Sequence, residues 1–106
     1  MQTPMPTPTP QSARIDLRFR HRRTPITVTY DASVDAGYVS LRRGRVQRTE
    51  ELNPTTLLDL DAKGQVVGIE VLGSTALATF DGVGAWLTPS DASRLPAIRS
   101  ALGGVM

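Results

Sequence analysis

The chain of 106 residues has no cysteine, so it can form no disulfide, offer no thiol nucleophile and bind no zinc through thiolates. It has one histidine, His21. One imidazole cannot build a multi-histidine metal centre. Arg20, Arg22 and Arg23 surround it and disfavour its charged form, so His21 is expected to be a solvated residue and not a base. Aromatics make up 5% of the chain, and none lies among residues 42–48, so the arginines there lack the stacking platform of a single-strand binder. No apolar run approaches the ~20 residues that a helix needs to cross a bilayer. The opening MQTPMPTPTPQSAR lacks the apolar stretch and early positive charge of a signal peptide. These absences lead us to expect a cytoplasmic protein with no membrane partner.

What is present reads mostly as strand and turn. Pro4, Pro6, Pro8 and Pro10 forbid a helix or a paired strand, so residues 1–13 are expected to be a disordered Pro/Thr leader. In RIDLRFRHRR, Ile15, Leu17 and Phe19 alternate with charged residues, which makes residues 14–24 a basic arm or an edge strand with guarding charges. PITVTYD and GYVSLRR alternate in the same way. RRGR is read as a tight turn around Gly44, followed by RVQRTEEL as the next strand. Trp86 and Leu87 are expected to be a short buried segment. The stretch TPSDASRLPAIRSALGG reads as a helix, with Thr88 as its cap, Pro89 at the first position and Gly103 able to end it. Ala92, Leu95, Ile98 and Leu102 form its apolar stripe. Pro96 would kink this helix or delay its start to about Arg94.

Charge is divided along the chain. Residues 14–23 hold five arginines and one aspartate, and residues 42–48 hold four arginines. From Thr49 onward acids outnumber bases. Such an asymmetry suits an anionic partner for the first half, or self-complementarity within a homodimer. Phosphate-backbone binding would use Arg18, Arg20, Arg22, Arg23, Arg42, Arg43, Arg45 and Arg48. The competing reading is a solvated, charged surface.

DLDAKGQVVGIEVLG, residues 59–73, spells most of a calcium loop: Asp59, Asp61, Gly64 and Glu70 stand at its positions 1, 3, 6 and 12. Lys63 occupies a ligand position, however, and the flanks continue strand patterns where helices would be needed. We therefore read a β-hairpin. Its DAKG loop would be closed by Leu60 and Gln65, with Gly64 in the left-handed conformation. Leu58 would then face Val67, and Asp59 would face Val66. Leu58, Leu60, Val67, Ile69 and Val71 would point inward, and Leu57, Asp59, Val66, Gly68 and Glu70 outward. No metal site is expected. The carboxylate pairs Glu50–Glu51 and Asp59–Asp61 have solvent or turn readings, and no serine, histidine and acid set is available. No catalytic residues, no cofactor and no enzymatic activity are expected.

Tyr30, Asp31, Asp35 and Tyr38, followed by Asp59, Asp61, Gly64, Val66, Gly68, Ile69 and Glu70, resemble the pattern of a family of small prokaryotic proteins, domain of unknown function number 2283. The resemblance covers about residues 26–74. It implies a small antiparallel sheet with helical additions, carries no catalytic residues, and suggests an antitoxin-like or partner role. The expected fold is α+β: a small antiparallel β-meander of four to five strands with one C-terminal helix, residues 25–106 forming a single domain. The expected function is a non-enzymatic protein-interaction or regulatory module that binds an unknown protein or itself. A nucleic-acid-binding accessory protein is the alternative.

Overall fold

Each apolar alternation becomes a strand. In a computed structural model the described residues, 14–21 and 24–106, build β1 Arg14–His21, β2 Thr24–Asp31, β3 Ala36–Ser40, β4 Arg48–Asn53, β5 Thr56–Leu60 and β6 Val66–Leu72. The expected leader, residues 1–13, lies outside the described residues, as do Arg22 and Arg23 and the side chain of His21. The six strands form one antiparallel sheet in the order β1-β2-β3-β6-β5-β4.

Two expectations are corrected here. The sheet has six strands, not four to five, because β1 pairs with β2 at every position from Arg14–Asp31 to His21–Thr24. Nor is it a simple meander, because β3 pairs with β6 and not with β4. Composition explains the swap. VVGIEVL of β6 is buried at most positions and suits the centre of a sheet, whereas RTEELN of β4 is largely exposed and suits an edge. RRGR is accordingly no hairpin turn. Residues 41–47 cross the β5–β6 hairpin near its tip, with Leu41 N donating to Val67 O and Gln47 N to Leu60 O.

The register sorts the faces. Leu17, Val28, Val39, Ile69, Leu58 and Glu50 are successive cross-strand partners and so share one face. Val28, Val39, Leu58 and Ile69 are fully buried, while Glu50 closes the row at the edge with its side chain exposed. Pro25 lies beyond the end of β3, where β2 has no neighbour on that side, so its missing N–H removes no bond from that ladder.

At the hairpin tip, Gly64 has φ +77°, as expected, and Asp61 N donates to Gln65 O. The pairing above the tip differs from expectation. Leu58 pairs with Ile69 and Asp59 with Gly68, then Leu60 pairs with Val66, so Val67 is the extra residue of a bulge. The bulge brings Val66, expected outside, into the core cluster, while Val67 packs instead against Gly44 of the crossover. Glu70 thus stands two residues beyond the partner of Asp59, not four.

The C-terminal third covers the apolar face. Ser74–Trp86 is a 3-10 helix that buries Ala76, Phe80 and Val83. The expected single helix is split into α1, Pro89–Ala92, and α2, Leu95–Val105. Thr88 caps α1 by accepting from Asp91 N at 3.2 Å, with Pro89 in the first turn. Pro96 opens α2 from its first turn, where it costs no helical hydrogen bond. Gly103 does not end α2, which runs through Gly103 and Gly104 to Val105. Leu95, Ile98 and Leu102 are buried, and Leu102 Cδ2 lies 3.3 Å from where a side chain on Gly37 would begin. No helix among the described residues is long and apolar enough to cross a membrane.

Thr56 is fully buried among these apolar groups, and its hydroxyl has no hydrogen-bond partner among the described residues. An unsatisfied buried hydroxyl is costly. Thr56→Val is therefore expected to raise stability by about 1 kcal/mol, read as a higher urea midpoint; a lower midpoint would show that the hydroxyl is bonded.

Candidate functional site

The arginines singled out from the sequence do not converge. Arg42 is the clearest departure. Its guanidinium donates to both carboxylate oxygens of Asp91, at 2.5 and 2.6 Å, and to the backbone oxygen of Val66. Arg94 holds the same carboxylate at 2.6 Å, and Asp91 is only 2% exposed. Arg42 is thus a tie between the crossover, β6 and α1, and not a free cation. Its partner lies 49 residues away in sequence, beyond the reach of a local reading. Arg48 pairs with Glu50 at 3.2 Å on the β4 edge, where both are exposed. Arg18 and Arg20 are exposed on β1, and Arg43 and Arg45 are exposed on the crossover. Of these, Arg18 and Arg43 meet, with Arg42, in a cleft of about 580 Å³ that Thr27 and Ser40 also line.

The residues of the family-like pattern gather on the sheet and its turns. Tyr38 on β3 lies across Gly68 of β6, because a methyl group placed on Gly68 would fall 1.8 Å from the Tyr38 hydroxyl. Only glycine lets the ring take that position. The hydroxyl then donates to Asp59 Oδ2 at 2.7 Å, and Thr49 donates to Asp59 Oδ1 at 2.6 Å. The three side chains bind β3, β5 and β4 together across the face opposite the helices. Burial, and then the bond to Asp59, push the Tyr38 phenol well above its ordinary pKa. Tyr30 donates to Asp35 at 2.8 Å, and that bond is the main cause of its own raised pKa. Asp31 accepts from the Ser33 amide and hydroxyl. Asp61 accepts from the amides of Lys63 and Gln65. These carboxylates order turns and hold two tyrosines.

A second depression lies at the β5–β6 tip. A groove of about 410 Å³ runs between the loop at Lys63–Gln65 and the Trp86–Thr88 segment. Trp86 is 51% exposed, not buried as expected. The 3-10 helix turns its apolar residues Ala76, Phe80 and Val83 to the core, and Trp86 at its last position falls past them. A hydrophobic residue beside Leu87 reads as core in a sequence, and nothing local marks it as exposed.

Three substitutions check these assignments. Asp91→Asn leaves two guanidiniums facing a neutral amide and is expected to cost about 3 kcal/mol in urea unfolding. Glu50→Gln, which removes only an exposed pair, should cost under about 0.5 kcal/mol. Gly68→Ala must displace the Tyr38 ring and is expected to cost about 1–3 kcal/mol. In a Tyr38→Ala background the same change should cost far less, a coupling that a double-mutant cycle measures directly.

No curated protein and no solved structure matches the chain. Residues 27–74, from the middle of β2 to the start of the 3-10 helix, match the model of the family described as Protein of unknown function (DUF2283). The Tyr38–Gly68–Asp59 contact and the Asp61–Gly64 turn both fall inside that span, which is under half of the chain, and over it the chain is similar to this family.

Proposed function

We propose that the chain is a non-enzymatic protein-interaction module, regulatory in the manner of an antitoxin, and that it engages its partner at the Trp86 groove. The observation that supports this reading is the exposure of Trp86. Ile15, Val34 and Val46 are also exposed, but tryptophan is the largest apolar side chain and the residue type most enriched among interface anchors. It stands beside the half-buried Leu87, over a concavity with polar rim residues Lys63 and Thr88. That combination of an apolar anchor and a polar rim is what protein interfaces use. The partner is a protein of the same cell, in the cytoplasm, or a second copy of the chain.

Trp86 is the sole tryptophan, so its fluorescence reports on its own surroundings. Binding should shift its emission to shorter wavelength. Paired affinity captures with the wild type and Trp86→Ala should retain a partner only with the former, while the urea midpoint changes by under about 0.5 kcal/mol, as for an exposed site. A partner held equally by both forms would remove Trp86 from the interface.

The alternative, nucleic-acid binding, draws support from Arg18, Arg42 and Arg43 among the sequence candidates, because these three line one cleft.

A further inference from the structure

We propose that the cleft at the Arg18 end of the sheet is a binding site for phosphate groups, and that its ligand is a nucleotide, free or within a single strand. The site is separate from the Trp86 groove and does not rest on that reading.

The register builds its floor. Arg18 pairs with Thr27, and Thr27 with Ser40. The three side chains therefore stand in one row across three adjacent strands, on the face away from the helices. Strands lie about 4.8 Å apart, so the row spans roughly 10 Å. It offers a guanidinium and two hydroxyls side by side. Beyond Ser40 the chain continues into Arg42 and Arg43, which close the end of the cleft. The volume of about 580 Å³ falls within the range of small-ligand sites, roughly 300–1,000 Å³.

The charge of the lining is of one sign. Three arginines line the cleft, and no acidic residue is among the described side chains that line it. The three differ in freedom. Arg42 is fixed by Asp91 and Val66 O, and the single charge of Asp91 is shared with Arg94. Arg42 therefore supplies a stationary positive wall that needs no ordering when a ligand arrives. Arg18 and Arg43 are exposed and can close on the ligand from two sides. Guanidinium forks and hydroxyl donors match the acceptor oxygens of a phosphate, and charge-assisted bonds of this kind are the strong ones. A carboxylate ligand would use fewer of these donors.

The test uses the full chain at low salt. Probes are AMP, adenosine as the uncharged control, and a fluorescein-labelled oligothymidine of twelve nucleotides. AMP or the oligonucleotide should bind and adenosine should not, with affinity falling as salt rises. The double variant Arg18→Gln/Arg43→Gln should weaken binding by about tenfold or more. Arg20→Gln/Arg45→Gln removes the same charge from outside the cleft and should leave AMP binding unchanged. Binding confined to AMP assigns the site to free nucleotides. Tighter binding of the oligonucleotide assigns it to a strand's phosphodiesters. Absence of binding by both probes at low salt overturns the proposal, as does an equal loss in the two double variants, which would reduce the effect to general surface charge. Ser40→Ala, with its fold verified by circular dichroism, gives a second check. It should weaken AMP binding about threefold, on the order of one hydroxyl hydrogen bond, and an unchanged affinity would overturn the assigned donor set.

Discussion

The buried carboxylate of Asp91 is the point where three separately built parts of this protein are joined. It sits on a four-residue helix that could not hold its place alone. Arg42 comes to it from the crossover, and Arg94 from the turn between the two helices. Through the second bond of Arg42, to Val66 O, the strand at the centre of the sheet is tied in as well. Replacing such a cluster by apolar groups would give adhesion with no direction. The carboxylate and its two planar partners set both position and angle. The Trp86–Thr88 segment immediately before α1 takes its position from this tie, and so does the wall of the cleft on the other side of Arg42.

The sheet itself depends on the choice of its central strand. β6 holds Val66, Ile69 and Val71 in the core and lends its other side to Gly68 and Glu70. Its bulge lets two successive valines serve different neighbours, the core for Val66 and the crossover for Val67. The bare backbone of Gly68 admits the Tyr38 ring, so the polar face is held by an aromatic side chain and one carboxylate.

Much of this was legible in the residues. The alternation of Ile26, Val28 and Val39, the left-handed Gly64 and the Thr88 cap follow from local rules, and the family-like pattern in the hairpin identifies the segment that matches the family. The crossover was not legible, because consecutive antiparallel strands usually pair and nothing in RRGR announces that β3 and β4 do not. The bulge was not legible either. It depends on the fit of two valines against two surfaces, which a period-two pattern cannot express. Arg42 looked like its neighbours Arg43 and Arg45, since a partner 49 residues away leaves no local mark. Of the candidate site, the sequence held the residue types of the cleft but not their convergence, which arises from the register of β1, β2 and β3.

The family match ends at residue 74, where the sheet ends and its cover begins. Phe80, Val83, Ile98 and Leu102, which seal the apolar face, all come from beyond it. The matched segment thus supplies most of the sheet, and in this chain the cover comes from the flank that follows it. A protein reduced to that segment would expose Val28, Val39, Ile69 and Leu58 as a bare layer, and mutual burial with another such layer would be its most direct remedy. In the present chain an internal lid fills that role, which leaves the opposite face of the sheet free to serve other contacts.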